Sequence, residues 1–358
     1  MKRVLALPLI LMVLAGTAGA QGTSQPFNKV GTSAAQFLKF GVGGRAMALG
    51  GTHTALSGEV SSLYWNPAGI ASIQRSSFYA SYMDYFVGIS HNFIGFVQPI
   101  DMESSFGLSV IYLDSGEMEV TTVDQPDGTG TYYDVTNLAI GLTYAKYITD
   151  RFMGGLTLKY IQEGIWREKA QTVAFDLGSI LDTGLLGIRL GMSLSNYGGN
   201  MKLSGPDLTL DADRFEENTG DRSVTTNMET EEWALPLIYR VGLSTDLVGI
   251  GGQFAESADS RLTFLFDASD PNDAELRPNM GLEYQWKNMF SLRGGGHVRY
   301  ADEWDSAENQ TQWSSHIFLS FGAGFNWETD WGILQFDFAT MDYDLLGWVQ
   351  HYSIGVAF

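Results

Sequence analysis

From about residue 77 to the end of the chain, apolar and polar residues alternate in stretches of roughly ten to fifteen positions, each closing on a turn. In "WVQHYSIGVAF", Trp348, Tyr352, Ile354, Val356 and Phe358 fall on one face, and His351, Ser353, Gly355 and Ala357 on the other. A period of two is the signature of a β-strand with two unlike faces. The same split separates Leu282, Tyr284 and Trp286 from Gly281, Glu283 and Gln285, and Leu334, Phe336 and Phe338 from Gln335, Asp337 and Ala339. It also separates Leu190, Met192 and Leu194 from Arg189, Gly191, Ser193 and Ser195.

Alternation alone also fits a soluble sandwich, whose polar face meets water. Two features favour the inverted arrangement, with the apolar face on lipid. The stretches are longer than the ~5–6 residues common in soluble strands. Aromatic residues also gather near their ends (Tyr144 and Tyr147, Trp286, Trp327 and Trp331, Trp348), as interfacial girdles do.

The pattern predicts strands at 77–87, 90–100, 104–114, 133–148, 151–166, 170–181, 185–197, 235–248, 258–269, 276–287, 288–301, 312–327, 331–344 and 347–358. That is fourteen, the even number expected of a single-chain bacterial barrel with both termini on one side. The long connections, 115–132, 198–234 and 302–311, all follow odd-numbered strands. Those after even-numbered strands are short, with 249–257 the one stretched case. Long connections on one side and short turns on the other are the barrel rule. The predicted fold is therefore an all-β, fourteen-stranded antiparallel transmembrane β-barrel in contact with outer-membrane lipid, the barrel occupying 77–358.

The first twenty residues read as a signal peptide: Lys2 and Arg3, an apolar run from Val4 to Ala15, then Ala18-Gly19-Ala20 as the cleavage site. The net charge is −20, or −22 once Lys2 and Arg3 are removed, which argues against a nucleic-acid partner. There is no cysteine, so no disulfide supports the fold. The longest loop, 198–234, holds nine acidic residues between Gly205 and Trp233 against Arg214 and Arg222, but no calcium-loop pattern. It reads as a solvated loop, with cation binding or partner docking as the alternatives.

Residues 21–76 do not alternate. "TSAAQFLKF" is expected to be a short helix capped by Thr32 or Ser33. "GVGGRAMALGG" follows, and then "SSLYWNPAGIAS", where Asn66 favours a turn and Pro67 suits the first position of a second short helix. A fourteen-stranded barrel has a lumen too wide for its own side chains to fill. This small-residue segment at the periplasmic start of the barrel is therefore expected to be an N-terminal plug.

"KVGTSAAQFLKFGVGGRAMALGG" with "SSLYWNPAGIAS" resembles the N-terminal signature of the PorV/PorQ family, whose barrel is similar to the FadL long-chain fatty-acid transporters. The resemblance continues through "LPLIYRVGLSTDL", "DPNDAELRPNMGLEYQWKNMFSLRGG" and residues 320–358. It implies that Asn66, Pro67 and Ala68 form the turn of the hatch, with Tyr64 and Trp65 wedging the hatch against the wall. It implies that Tyr352, Ile354, Val356 and terminal Phe358 form the signal read by barrel-assembly machinery.

No nucleophile elbow, metal-ligand spacing or credible dinucleotide loop appears, so neither an enzyme nor a cofactor is expected. Alternation points Lys159, Arg189, Arg240, Arg261, Arg293, His297 and Arg299 inward, with Asp267, Glu283 and Asp337. These charges suit internal ion pairs bracing barrel and plug, or a headgroup or carboxylate site for an amphipathic ligand. Two functions follow from the resemblance. One is a type IX secretion accessory that receives exported proteins through their C-terminal sorting domains. The other is a FadL-like conduit for fatty acids or other hydrophobic compounds.

Overall fold

The structure is a computed structural model that describes residues 31–213, 223–305 and 310–358. The expected signal peptide, the first ten residues of the expected plug, Arg214 and Arg222 lie outside these.

Fourteen strands form the barrel: β1 Ser77–Asp84, β2 Ser90–Pro99, β3 Ser104–Asp114, β4 Val135–Thr149, β5 Phe152–Ile165, β6 Glu168–Asp182 and β7 Arg189–Gly198. They continue as β8 Ile238–Gly249, β9 Ser260–Pro271, β10 Arg277–Trp286, β11 Phe290–Asp305, β12 Gln310–Thr329, β13 Gly332–Asp342 and β14 Trp348–Ala357. Each pairs antiparallel with its neighbours in the chain, and β1 pairs with β14 from Ser77 with Ala357 to Asp84 with Gln350, closing the ring. No helix among the described residues is long and apolar enough to cross a membrane. The long connections carry small hairpins: Met118–Glu119 with Tyr132–Tyr133, and Thr209–Asp213 with Ser223–Asn227.

The faces are inverted as the alternation requires. Phe336, Phe338, Tyr352 and Ile354 point outward and are exposed, whereas Ala339, His351 and Ser353 are buried. An aromatic concavity of about 690 Å³ on this outer surface, lined in part by Tyr82, Ile94, Phe336 and Ile354, faces lipid.

Two expectations need correction. The stretch 302–311 is not a long loop: β11 and β12 stay paired as far as Asp305 with Gln310. A hairpin standing in water is polar on both faces, so its alternation is lost. In "TSAAQFLKF" only Gln36–Lys39 forms a 3₁₀ turn, and its N-cap is Ala35 with no side-chain cap. Neither Thr32 nor Ser33 caps it; the Ser33 carbonyl instead accepts from Gln36 Nε2.

Residues 31–76 fill the lumen, and their course explains the glycines of the wall. The Gln36–Lys39 turn lies at the long-loop end, where Gln36 Nε2 and Lys39 Nζ reach Asp273 of the β9–β10 connection at 2.7 and 2.9 Å. This extends the expected placement at the periplasmic start: the plug threads the lumen from the long-loop mouth to the start of β1. Gly43 N–H donates to Ser81 Oγ on β1 (3.2 Å) and Gly44 N–H to Ser353 Oγ on β14 (2.6 Å). The helix α1 (Gly44–Ala48) and the segment after it then meet the wall strand by strand in reverse order. Ala48 lies on Gly322 of β12, Leu49 and Gly50 on Gly295 of β11, Leu49 and Thr52 on Gly281 of β10, and Thr54 and Ala55 on Gly242 of β8 and Gly191 of β7. After helix α2 (Ser62–Trp65), Pro67 rests on Gly178 of β6 and Gly155 of β5. A Cβ at Gly281 would come within 2.7 Å of the Leu49 carbonyl, so the plug backbone approaches this closely only where the wall has no side chain.

Candidate functional site

Asn66 is the N-cap of the 3₁₀ helix Pro67–Ser72. Its Oδ1 accepts from Ala68 N–H, and Pro67 occupies the first position, where a missing N–H costs nothing. Its Nδ2 donates to the Thr54 carbonyl within the plug (2.7 Å) and to the Ser179 carbonyl on β6 (3.0 Å). One fully buried side chain thus caps a helix, ties two plug segments together and pins both to the wall.

Tyr64 and Trp65 pack edge to face at 4.9 Å. Tyr64 Oη donates to the Leu38 carbonyl and Trp65 Nε1 to the Val42 carbonyl, so both rings bind the plug to itself. The wall meets them through Arg240 of β8, whose guanidinium lies 5.5 and 5.4 Å from the two ring centres. Burial raises the Tyr64 phenol above its ordinary range, and the hydroxyl stays protonated.

The inward charges divide into four groups. In the largest, Arg293 bridges Glu283 (2.6 Å) and Asp337 (2.5 Å) within the wall, and the plug's Arg45 pairs with Glu283 and with Glu59. His53, stacked on Trp65, reaches Glu59 at 3.1 Å. Burial opposes ionisation of Glu59, but Arg45 and the His53 hydrogen bond outweigh it and pull the carboxyl well below the usual range. Burial likewise opposes the charge on Arg45, and Glu283 with Glu59 more than restores it.

The second group is built by a bulge. The β6–β7 register shifts between Phe175 and Leu177, and Asn196 takes a left-handed φ of 65°. The N–H of Asn196 donates to Asp176 Oδ1 (2.7 Å), and Lys159 Nζ meets Asp176 (2.6 Å) and Asn196 Oδ1 (2.9 Å). In the third, Asp267 accepts from the backbone N–H groups of His53 and Thr54, both at 2.9 Å. The fourth lies nearer the short turns, where Arg261 pairs with Asp246 at 2.9 Å and Arg189 stands close by. His297 stacks on Phe318 at 5.0 Å. The side chain of Arg299 lies outside the described residues. At the other end of the chain, Tyr352 and Ile354 face outward, and Phe358, also exposed, donates its N–H to the Ser76 carbonyl.

Sequence reasoning did not single out Arg45, His53, Glu59, Asp176 or Asn196. A signal existed for Arg45: a lone cation in "GVGGRAMALGG", bound for a lumen, requires a buried partner. Asp176 shares an inward period with Ala174 and Gly178. Nothing local marks Asn196, because a bulge breaks the period that would have assigned it.

Between the plug and the long-loop mouth lies a cavity of about 430 Å³, floored by Met47, Tyr64 and Trp65 and walled in part by Arg240, Phe318 and Tyr343. Among the described residues no cluster of three His, Asp or Glu is arranged to hold a metal ion.

Fourteen strands, a lumen-filling plug and one long-loop end define a FadL-like outer-membrane β-barrel. The Pseudomonas putida toluene transporter TodX is similar at a TM-score of 0.54 and 11% identity, over 89% of this chain and 99% of that one. The Ralstonia pickettii toluene transporter TbuX gives 0.50 and 12%, over 88% and 97%. A Pseudomonas aeruginosa FadL homologue gives 0.49 and 12%, over 88% and 96%. At such identities the likeness is one of fold. No curated protein matches the chain by sequence. Residues 23–180, under half of the chain, match the family model of the type IX secretion system protein PorV. Both the family and the fold are non-enzymatic kinds of protein.

Proposed function

We propose that this chain is a type IX secretion protein that works as a surface receptor with a closed lumen. It is exported by residues 1–20 and inserted through its C-terminal strand by barrel-assembly machinery. Its long-loop end then faces outward and receives exported proteins through their sorting domains. The observation that carries this reading is the plug itself: it touches the wall around most of the lumen and is tied to the barrel by the Arg45–Glu283 and Lys39–Asp273 ion pairs. A lumen sealed in this way favours work at the loops over passage through the centre. The test is a photo-crosslinking residue placed in turn in loops 115–134 and 199–213 in living cells, followed by mass spectrometry. Exported proteins sharing a sorting domain are the expected adducts. Their absence from a correctly inserted barrel would refute the receptor reading.

A second reading, a conduit for hydrophobic compounds, is favoured by the aromatic cavity above the plug. It requires the plug to move, and a copurifying apolar molecule with no protein adduct would support it.

A further inference from the structure

Three inward side chains form one row across the seam where the barrel closes. Met83 of β1 stands directly opposite His91 of β2 on one side and His351 of β14 on the other. Directly opposite residues on one face of a sheet lie side by side, and on the concave wall of a barrel their tips converge. All three are 1% exposed. The two imidazoles are close enough for a charge on one to act on the other. His91 is fixed by a hydrogen bond to the backbone of Phe37, and its Nε2 has no partner among the described residues. His351 Nε2 has none among them either. A ring that donates from Nδ1 carries its lone pair on Nε2, the arrangement of a metal-ligating histidine. Phe40 of the plug meets the His91 ring edge to face at 5.6 Å and Tyr85 at 5.0 Å, and Tyr85 meets Tyr343 at 5.7 Å, an aromatic layer beside the row. Two orphaned ring nitrogens are costly in such surroundings, where leucine or phenylalanine would fill the space without that penalty.

We infer that His91, Met83 and His351 form a site for a soft monovalent cation, Cu(I), bound through two imidazole nitrogens and a thioether sulfur. Thioether sulfur selects Cu(I) over harder divalent ions, and none of the three donors is anionic, which favours one positive charge over two in a buried setting. Its third donor is a sulfur, so it is not one of the His, Asp and Glu clusters that would hold a harder ion. No spacing in the sequence reveals the set, since the two histidines stand near opposite ends of the barrel sequence and only closure of the ring brings them together. The site lies in the wall, and it rests on neither the receptor nor the conduit reading.

The test uses the full chain in nanodiscs, with empty nanodiscs as blanks, under anaerobic and chloride-free conditions. Cu(I) is presented as its bicinchoninate complex, and transfer to the protein is read from the loss of that complex's colour. The native chain is expected to take up a single Cu(I), with a sulfur neighbour in its X-ray absorption spectrum. His351→Gln should abolish the uptake. Met83→Leu, close in volume, should weaken it at least tenfold and remove the sulfur neighbour, whereas Met102→Leu, whose side chain is exposed, should change nothing. Zn(II) should bind at least tenfold more weakly than Cu(I). Heat-modifiable migration on gels confirms that each variant is a folded barrel. No uptake by the native chain would mean that the two rings only fill space, and uptake unchanged in folded His351→Gln or Met83→Leu would mean copper bound elsewhere; either result overturns the assignment. Equal affinity for Zn(II) would overturn the choice of a soft ion. Crosslinking at the loops is scored separately, so either idea can fail without the other.

Discussion

Close contact with wall glycines holds the plug on both sides of the lumen, but charge is added on one side only. Towards β10–β13 the joint adds charge to its glycine contacts: Arg45, paired with Glu59 within the plug, engages Glu283, which Arg293 links to Asp337. Towards β5–β8 it is made of closeness. Asn66 and Pro67 sit on Gly178 and Gly155, and Thr54 and Ala55 on Gly191 and Gly242. A buried ion pair is strong only while it is complete, and its strength depends on protonation. A backbone-to-glycine contact is indifferent to pH but intolerant of a single added carbon. One plug is therefore held by two joints that fail under different insults.

The largest effect is expected on the steric side. Gly178→Val or Gly155→Val would drive a side chain into Asn66 or Pro67, where plug backbone and proline ring leave little freedom to shift. The barrel should still close, more slowly than in the native chain, because its strands pair with one another, but the plug should lose its seat. Conductance in planar bilayers should appear, while the native chain stays silent; a silent variant would show that the charged side alone seats the plug.

On the charged side, Arg45→Met leaves Glu59 and Glu283 short of a partner and should cost about 3–5 kcal/mol. The readout is the urea midpoint of the detergent-solubilised protein. The sign of the pH dependence follows from Glu59, whose folded pKa is depressed. Its contribution is present above its unfolded value of about 4.3 and is lost only as pH falls through the lower folded value. Hydrogen exchange of plug peptides, corrected for the intrinsic rate, should stay flat from pH 7 to pH 5 in the native chain. The same scan on Gly155→Val isolates the charged joint, since the glycine contact contributes no pH dependence.

The smallest effect belongs to neither joint. Arg167 and Asp207 pair on the exposed loops, and Arg167→Ala should change stability by less than about 1 kcal/mol. A larger loss would mean that the loop end helps to hold the barrel.

The two joints also differed in how far they could be read beforehand. Strand number, alternation and the side of each long connection were legible because lipid on one face and plug on the other impose a strict period of two. The wall half of the charged joint, Glu283, Arg293 and Asp337, was legible for the same reason. Its plug half was not: Arg45 and Glu59 lie in short helices and turns, where no period tells which way a side chain points. The glycine joint was visible only as small residues on the inward face. Which plug residue meets which glycine depends on a path around the lumen that local sequence does not encode. Asn66 could be given its turn from the Asn-Pro pair, yet its bond to the Ser179 carbonyl is set by the wall.

The hydrogen bonds of Gly43 to β1 and Gly44 to β14 lie across the line where the first and last strands meet. Residues made near the beginning of synthesis thus complete contacts with those made at its end. A plug that winds past β14, β12, β11 and β10 before it reaches β7 cannot be pushed into a finished cylinder as a preformed ball. The cylinder has to close around it. Closure of the ring and seating of the plug then become one cooperative event, and a chain that arrives without its plug should circularise slowly and linger as an open sheet.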